Sequence, residues 1–134
     1  MQEVKEWKEK FFLKVNLPNR ALTDMDIIKY AKVLKIQNFQ GVFMRDELPK
    51  REPKYRESAV INLDNSTGPG THWVAYKKTG NKVLYFDSFG DLKPPPELMK
   101  FFRSNIVNYN YKQYQKFNTY NCGNLCLQFL SDGI

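Results

Sequence analysis

Two runs rich in β-branched and aromatic residues, His72–Lys77 and Lys82–Asp87, face each other across Thr79-Gly80-Asn81, and this hairpin constrains the chain more than any other feature. Glycine in so short a link supplies the backbone angles that a tight turn needs. Closing the turn sets an antiparallel register and decides which strand ends meet. Here the ends that meet carry His72, the single histidine of the chain, and Asp87. Side chains on adjacent strand ends come within about 5 Å of each other. The hairpin therefore predicts an imidazole beside a carboxylate.

Around the hairpin the pattern is mixed. Residues 4–15 place Val4, Trp7, Phe11 and Phe12 at helical spacing, which predicts a helix docked by one apolar stripe. Thr23 is a candidate N-cap for a second helix, with Asp24 and Asp26 in its first turn and Ile27, Ile28, Ala31, Leu34 and Tyr30 on its buried side. Phe39 to Leu48 reads as an irregular or short extended segment, and Lys50 to Glu57 as a charged, solvated link. Ser58 to Leu63 has strand composition, and Asn65 to Gly70 is a Gly/Pro loop. Pro94-Pro95-Pro96 can open a helix through Glu97 to Ile106. Val107 to Gln115 reads as a final strand and Cys122 to Ser131 as a final helix. With 134 residues, 42% of them hydrophobic and 15% aromatic, the chain suits one packed domain over residues 1–134. The expected fold class is α+β, a small antiparallel or mixed sheet with flanking helices.

The chemistry-bearing residues fall in one order: His72, Asp87, Gln115, Cys122. Acyl transfer to a thiol needs a sulfur, a base, a group that orients the base and an oxyanion donor. Cys122 stands between a polar loop and the apolar run Leu125 to Leu130, at a predicted helix start, where the positive end of the helix dipole favours a thiolate. Gly123 beside it leaves a backbone amide unshielded and lets a substrate approach closely. Cys126, inside the apolar run, reads instead as a buried structural cysteine. His72 is the candidate base and Asp87 the group that fixes its tautomer, with Asp91 as substitute. The amide of Gln115 is the candidate oxyanion donor, and Gln113 competes for that role. One histidine and two cysteines leave a tetrahedral zinc short of ligands, so no metal is expected.

The formal charge of +7 favours polyanionic partners, nucleic acid among them. Two cysteines, no apolar signal core and no run of about 20 apolar residues lead us to expect an intracellular protein that is not inserted in a membrane.

The set Gly70-Thr71-His72-Trp73, Tyr85-Phe86-Asp87-Ser88-Phe89-Gly90, Gln115 and Cys122-Gly123-x-x-Cys126 resembles the adenovirus protease (adenain) family of cysteine peptidases. It is similar to members carried by virus-like DNA transposons of the Maverick/Polinton type, and to the wider clan of SUMO- and ubiquitin-like-specific proteases. The segment Phe39 to Asp46 adds to the resemblance, which spans roughly residues 23–130. It implies His72 as general base, Asp87 as its orienter, Gln115 as oxyanion donor and Cys122 as nucleophile. Adenovirus members carry Glu where Asp87 stands, whereas the SUMO-protease branch carries Asp. The resemblance also implies that Trp73 shapes the substrate entry and that cleavage occurs near glycine; with Gly123, read above as letting substrate approach, it makes the candidate substrate-binding pair. The expected function is then a cysteine endopeptidase that matures viral or transposon structural proteins. A SUMO or ubiquitin-like isopeptidase, and a catalytically decayed basic module that binds nucleic acid, are the alternatives. The chemistry requires no cofactor, while DNA or a short peptide is implied as activator. Expected partners are a capsid-like precursor or a ubiquitin-like conjugate, with DNA as a further one; a monomer is expected. The chain ends at Ile134, one short helix past Cys122, so a C-terminally truncated form of the fold is expected.

Overall fold

The computed structural model describes residues 17–18, 20–64, 72–103, 106–115 and 121–132. The predicted helix over 4–15 and the loop over 65–70 lie outside them. Among the described residues the elements run α1 (Asp24–Val33), β1 (Phe39–Met44), a 3-10 turn (Leu48–Lys50), β2 (Arg56–Asn62), β3 (Trp73–Thr79), β4 (Lys82–Phe86), α2 (Pro96–Phe102), β5 (Ile106–Tyr109) and α3 (Cys122–Asp132). The five strands form one mixed sheet in the order β1-β2-β3-β4-β5. The expected α+β class holds, with the mixed form of the sheet.

The hairpin forms as read, with Gly80 at φ +60° in its turn and Thr79 opposite Lys82. The two outer pairs, β1 with β2 and β4 with β5, are parallel. A parallel neighbour cannot be reached by a tight turn, so the chain must cross over; between β4 and β5 it does so through α2. The alternation of strand residues then divides the core in two. Val60, Ala75 and Phe86 pack with Ile27, Ala31, Leu125 and Phe129 of α1 and α3, while Ile61, Val74, Tyr76 and Val83 pack with Leu98, Phe101 and Phe102 of α2. Phe86 stacks on Phe129 at 5.0 Å between ring centroids. Apolar cover on both faces explains why the central strands β2 and β3 are buried nearly throughout rather than at alternate positions.

The Thr23 cap is a full capping box. Its hydroxyl accepts from the Asp26 N–H (3.1 Å), and Asp26 Oδ2 accepts from the Thr23 N–H (2.9 Å). Arg20 adds a 2.6 Å ion pair to the same carboxylate and, with the capping bonds, holds its pKa well below the usual carboxylate range.

Of the two forms read for Phe39 to Leu48 the extended one is found, a parallel strand over Phe39–Met44 whose pairing slips once, next to Gly41 at φ +134°. Three segments depart from the sequence reading. The link from Lys50 is not wholly solvated. Glu57 is buried, accepting from the Lys54 N–H (2.7 Å) and the Tyr76 hydroxyl and pairing with Arg51 (3.3 Å). Burial of the Tyr76 phenol, with that carboxylate beside it, raises its pKa. The Pro-initiated helix stops at Phe102, because Arg103 turns into the left-handed region (φ 50°, ψ 36°), and Ile106 begins β5 instead. The predicted last strand ends at Tyr109, and residues 110–115 form an irregular crossing that proves central to the site.

Candidate active site

Strand directions bring the C-terminal ends of β1, β2, β4 and β5 and the start of β3 to one end of the sheet. His72 immediately precedes β3 and Asp87 immediately follows β4. Ala75 pairs with Phe86. Extending that register sets Asp87 opposite Val74, one diagonal step from His72, within reach of an imidazole.

The contact is made. His72 Nε2 lies 2.9 Å from Asp87 Oδ1, with both side chains largely buried. A carboxylate can only accept, so Nε2 carries the hydrogen, and Nδ1 is the nitrogen left to serve a sulfur. The same Oδ1 accepts the Phe89 N–H at 3.0 Å. The Phe89 ring stacks flat on the imidazole, 4.4 Å between centroids and 12° between planes. The His72 carbonyl is held from behind by the Leu63 N–H at 2.9 Å. Burial lowers the His72 pKa; hydrogen bonds and charge from Asp87 and Cys122 outweigh it and raise the pKa to about 9. The imidazole is therefore largely protonated at neutral pH, beside the Cys122 sulfur.

Cys122 is the first residue of α3 and is buried. Two bonds tie the start of α3 and the neighbouring Trp73 to residues 18–22. Trp73 Nε1 donates to the Leu22 carbonyl (3.1 Å), and Asn124 Nδ2 to that of Pro18 (3.0 Å). Gly123 occupies the same tight corner. A β-carbon there would lie 3.2 Å from Leu22 Cβ and 3.2 Å from Trp73 Cδ1. Its lack of a side chain thus lets α3 pack against Trp73, a different demand from the open approach of substrate read from sequence. Cys126 is fully buried, and desolvation raises its thiol pKa, as suits the structural cysteine expected.

The irregular crossing over 110–115 lies on the turn that follows β4. Asn110 clamps Asp87 from both sides, accepting its N–H at Oδ1 (2.9 Å) and donating through Nδ2 to its carbonyl (2.7 Å). The Ser88 carbonyl accepts the N–H groups of Tyr114 (2.7 Å) and Gln115 (2.9 Å). Gly90, at φ +80°, faces Lys112 so closely that a β-carbon would sit 2.5 Å from its carbonyl oxygen. Gln115 is buried, its Oε1 takes a 2.5 Å bond from the Ser88 hydroxyl, and its Nε2 has no hydrogen-bond partner. A buried donor without a partner is costly to fold around, and an arriving acceptor would relieve that cost. Gln113 is engaged otherwise, donating to the Gln115 carbonyl at 2.8 Å. Asp91 turns away into the left-handed region (φ 53°), with its N–H on the Asn110 carbonyl at 2.8 Å.

His72, Asp87 and Cys122 thus converge, and Gln115 hangs from the residue next to Asp87. Asn110, Ser88 and Phe89 support them; Ser88 and Phe89 stood in the sequence motif without a role, and Asn110 was not singled out from sequence. A polar residue within the tyrosine-rich run Val107 to Gln115 was the signal available for Asn110.

No family model matches the chain, and no curated protein matches it. Solved structures do. The ASFV pS273R protease superposes with a TM-score of 0.54 at 16% identity, over 87% of this chain and 60% of that one. The SUMO protease Ulp1, solved with its catalytic cysteine oxidized to a sulfinic acid, superposes with a TM-score of 0.58 at 16% identity, over 87% of this chain and 67% of that one. The chain therefore spans about three fifths of the length of the viral enzyme. At this identity the likeness speaks for architecture: the mixed sheet with its flanking helices is the fold of the adenain and Ulp-type cysteine proteases.

Proposed function

We propose that this chain is a cysteine peptidase in which Cys122 is the nucleophile, His72 the base, Asp87 its orienter and Gln115 an oxyanion donor. The observation that carries the reading is the 2.9 Å His72–Asp87 bond, with Cys122 close enough to the same imidazole to help raise its pKa. A polar trio placed for structure alone would leave the protonated imidazole no task at the start of a helix. Here it lies beside the sulfur it would serve. In the acylation step the sulfur attacks the scissile carbonyl carbon, the C–N bond breaks, and the imidazolium gives its proton to the leaving amine. The neutral imidazole then takes a proton from water, whose oxygen displaces the thiol from the thioester. The partnerless Gln115 Nε2 supports its part, since the charge that develops on the carbonyl oxygen needs such a donor. Trp73 packs against Gly123 beside Cys122, and through that packing it would set the shape of the substrate entry.

For substrate, the sequence motif favours endopeptidase action near glycine in viral or transposon structural proteins. The likeness to the SUMO protease Ulp1 favours a second reading, hydrolysis after the C-terminus of a ubiquitin-like protein. No cofactor takes part in the chemistry; the +7 charge supports a polyanion such as DNA as activator. Among the described residues no helix is long and apolar enough to cross a membrane.

The test is turnover of a glycine-containing fluorogenic peptide and of a ubiquitin-like C-terminal fluorophore conjugate, with and without DNA. Cys122→Ala and His72→Ala should each abolish turnover. Undiminished cleavage by either variant rejects the mechanism, and the substrate that wild type cleaves decides between the two readings.

A further inference from the structure

The geometry points to Ser88 as a positioning residue that holds the Gln115 amide with its N–H end available to an oxyanion, so that the dipeptide Asp87-Ser88 sets both halves of the site. This inference rests on the peptidase reading for its purpose, though its geometry stands without it.

A glutamine amide has two ends of nearly equal size, and a buried one turns by half a rotation unless its hydrogen bonds forbid it. For an oxyanion donor the difference is decisive, because the wrong end presents a carbonyl oxygen to a developing negative charge. In the observed orientation the Ser88 hydroxyl holds the oxygen end. Its 2.5 Å bond reaches Oε1, a carbonyl oxygen that can only accept, so the hydroxyl donates. With Oε1 engaged, Nε2 is the end left over, and it has no hydrogen-bond partner. Both side chains are buried, at 0% exposure for Ser88 and 3% for Gln115, so water cannot readily replace the hydroxyl. The Ser88 carbonyl meanwhile accepts the Tyr114 and Gln115 N–H groups, fixing the backbone from which the amide hangs. Asp87, one residue earlier, holds His72. A single two-residue step thus points one side chain at the base and the other at the oxyanion donor.

The experiment compares wild type, Ser88→Ala, Gln115→Ala and the double variant on the fluorogenic substrate that wild type cleaves. Losing a donor that fixes a buried amide should lower kcat by about tenfold in Ser88→Ala with KM within about twofold. Gln115→Ala sets the limit, about 100- to 1000-fold. The double variant should equal Gln115→Ala, because Ser88 acts through the amide. Alkylation of Cys122 against pH should be unchanged in all three. An unchanged kcat in Ser88→Ala, or losses that multiply in the double variant, overturns the inference. Side-chain NMR of the Gln115 amide gives a readout independent of turnover. Wild type should show one amide orientation, and two interconverting orientations there overturn the inference without any variant. If wild type shows no Cys122-dependent turnover, the peptidase reading fails while the amide spectra still decide the role of Ser88.

Discussion

At the scale of single residues, the charge on His72 is decided by what replaces water around it. Burial takes solvation from an imidazolium, yet the Asp87 carboxylate and the Cys122 sulfur return more than burial removes, and the pKa rises to about 9. If an imidazolium must donate to the leaving amine, kcat/KM falls on the alkaline side as that proton is lost. The expected alkaline limb lies near pH 9. Asp87→Asn removes a carboxylate that raises the pKa, so its limb should move to lower pH, with kcat reduced as well because the ring is less firmly held. A pH–rate profile of both proteins checks this; an unmoved limb in Asp87→Asn would show that Asp87 does not set the charge state. The pair itself was legible in the sequence, since a hairpin brings its own ends together and His72 has no competing histidine. Ser88 and Asn110 were not legible as parts of the site. Their contacts join residues 87–88 to 110–115, and no local pattern records a contact across such a separation.

At the scale of elements, the irregular crossing over 110–115 does what a strand could not. A strand continued past Tyr109 would have directed its N–H and C=O groups sideways to a neighbour. The irregular backbone directs them at the Asp87–Gly90 turn instead, with Asn110 clamping one end and the Ser88 carbonyl the other. Asn110→Ala should cost about 1–3 kcal/mol of stability, and the loosened Asp87 could lower kcat by up to about 100-fold. Gly90→Ala should be worse, about 2–4 kcal/mol, because it adds a residue ill-suited to φ +80° and drives a β-carbon into the Lys112 carbonyl. Denaturant midpoints at constant slope measure both losses. If Gly90→Ala matched wild type, the crossing would be free to lift from the turn. Elements with local signals were readable: the capped α1, the hairpin, and α3 after its polar loop. The parallel pairings of β1 with β2 and of β4 with β5 and the early end of α2 at Arg103 were not, because nonlocal packing decides them. The burial of Glu57 was hidden for the same reason, its partners Arg51 and Tyr76 lying in different parts of the fold.

At the scale of the whole molecule, several buried groups titrate in one direction, and their sum should be visible in global stability. His72 has its pKa raised in the folded state, from 6.5 to about 9. The folded protein therefore binds this proton more tightly than the unfolded chain does. That contribution is present in full below about pH 6.5 and is lost as pH rises through 9. Cys126, Tyr76 and Tyr85 also have raised pKa values, burial being the first cause for each. They stay neutral in the fold while the unfolded chain ionises, so they subtract stability only above about pH 8.5 for the thiol and about pH 10 for the phenols. Asp26 is shifted the other way and acts only at the acid end, where lowering the pH through the usual carboxylate range removes its contribution. Stability should consequently fall in two stages on the alkaline side, the first between about pH 6.5 and 9 from the site and the second beyond it from the core. Replacing His72 with Gln removes the titrating ring without touching the core, so the first stage should vanish and the second remain. Urea unfolding at pH 6, 8, 9 and 10 on both proteins separates the two. A first stage that persists in His72→Gln would mean that another group carries the neutral-range proton, and that the imidazolium at the sheet end is not the charge around which this site is built.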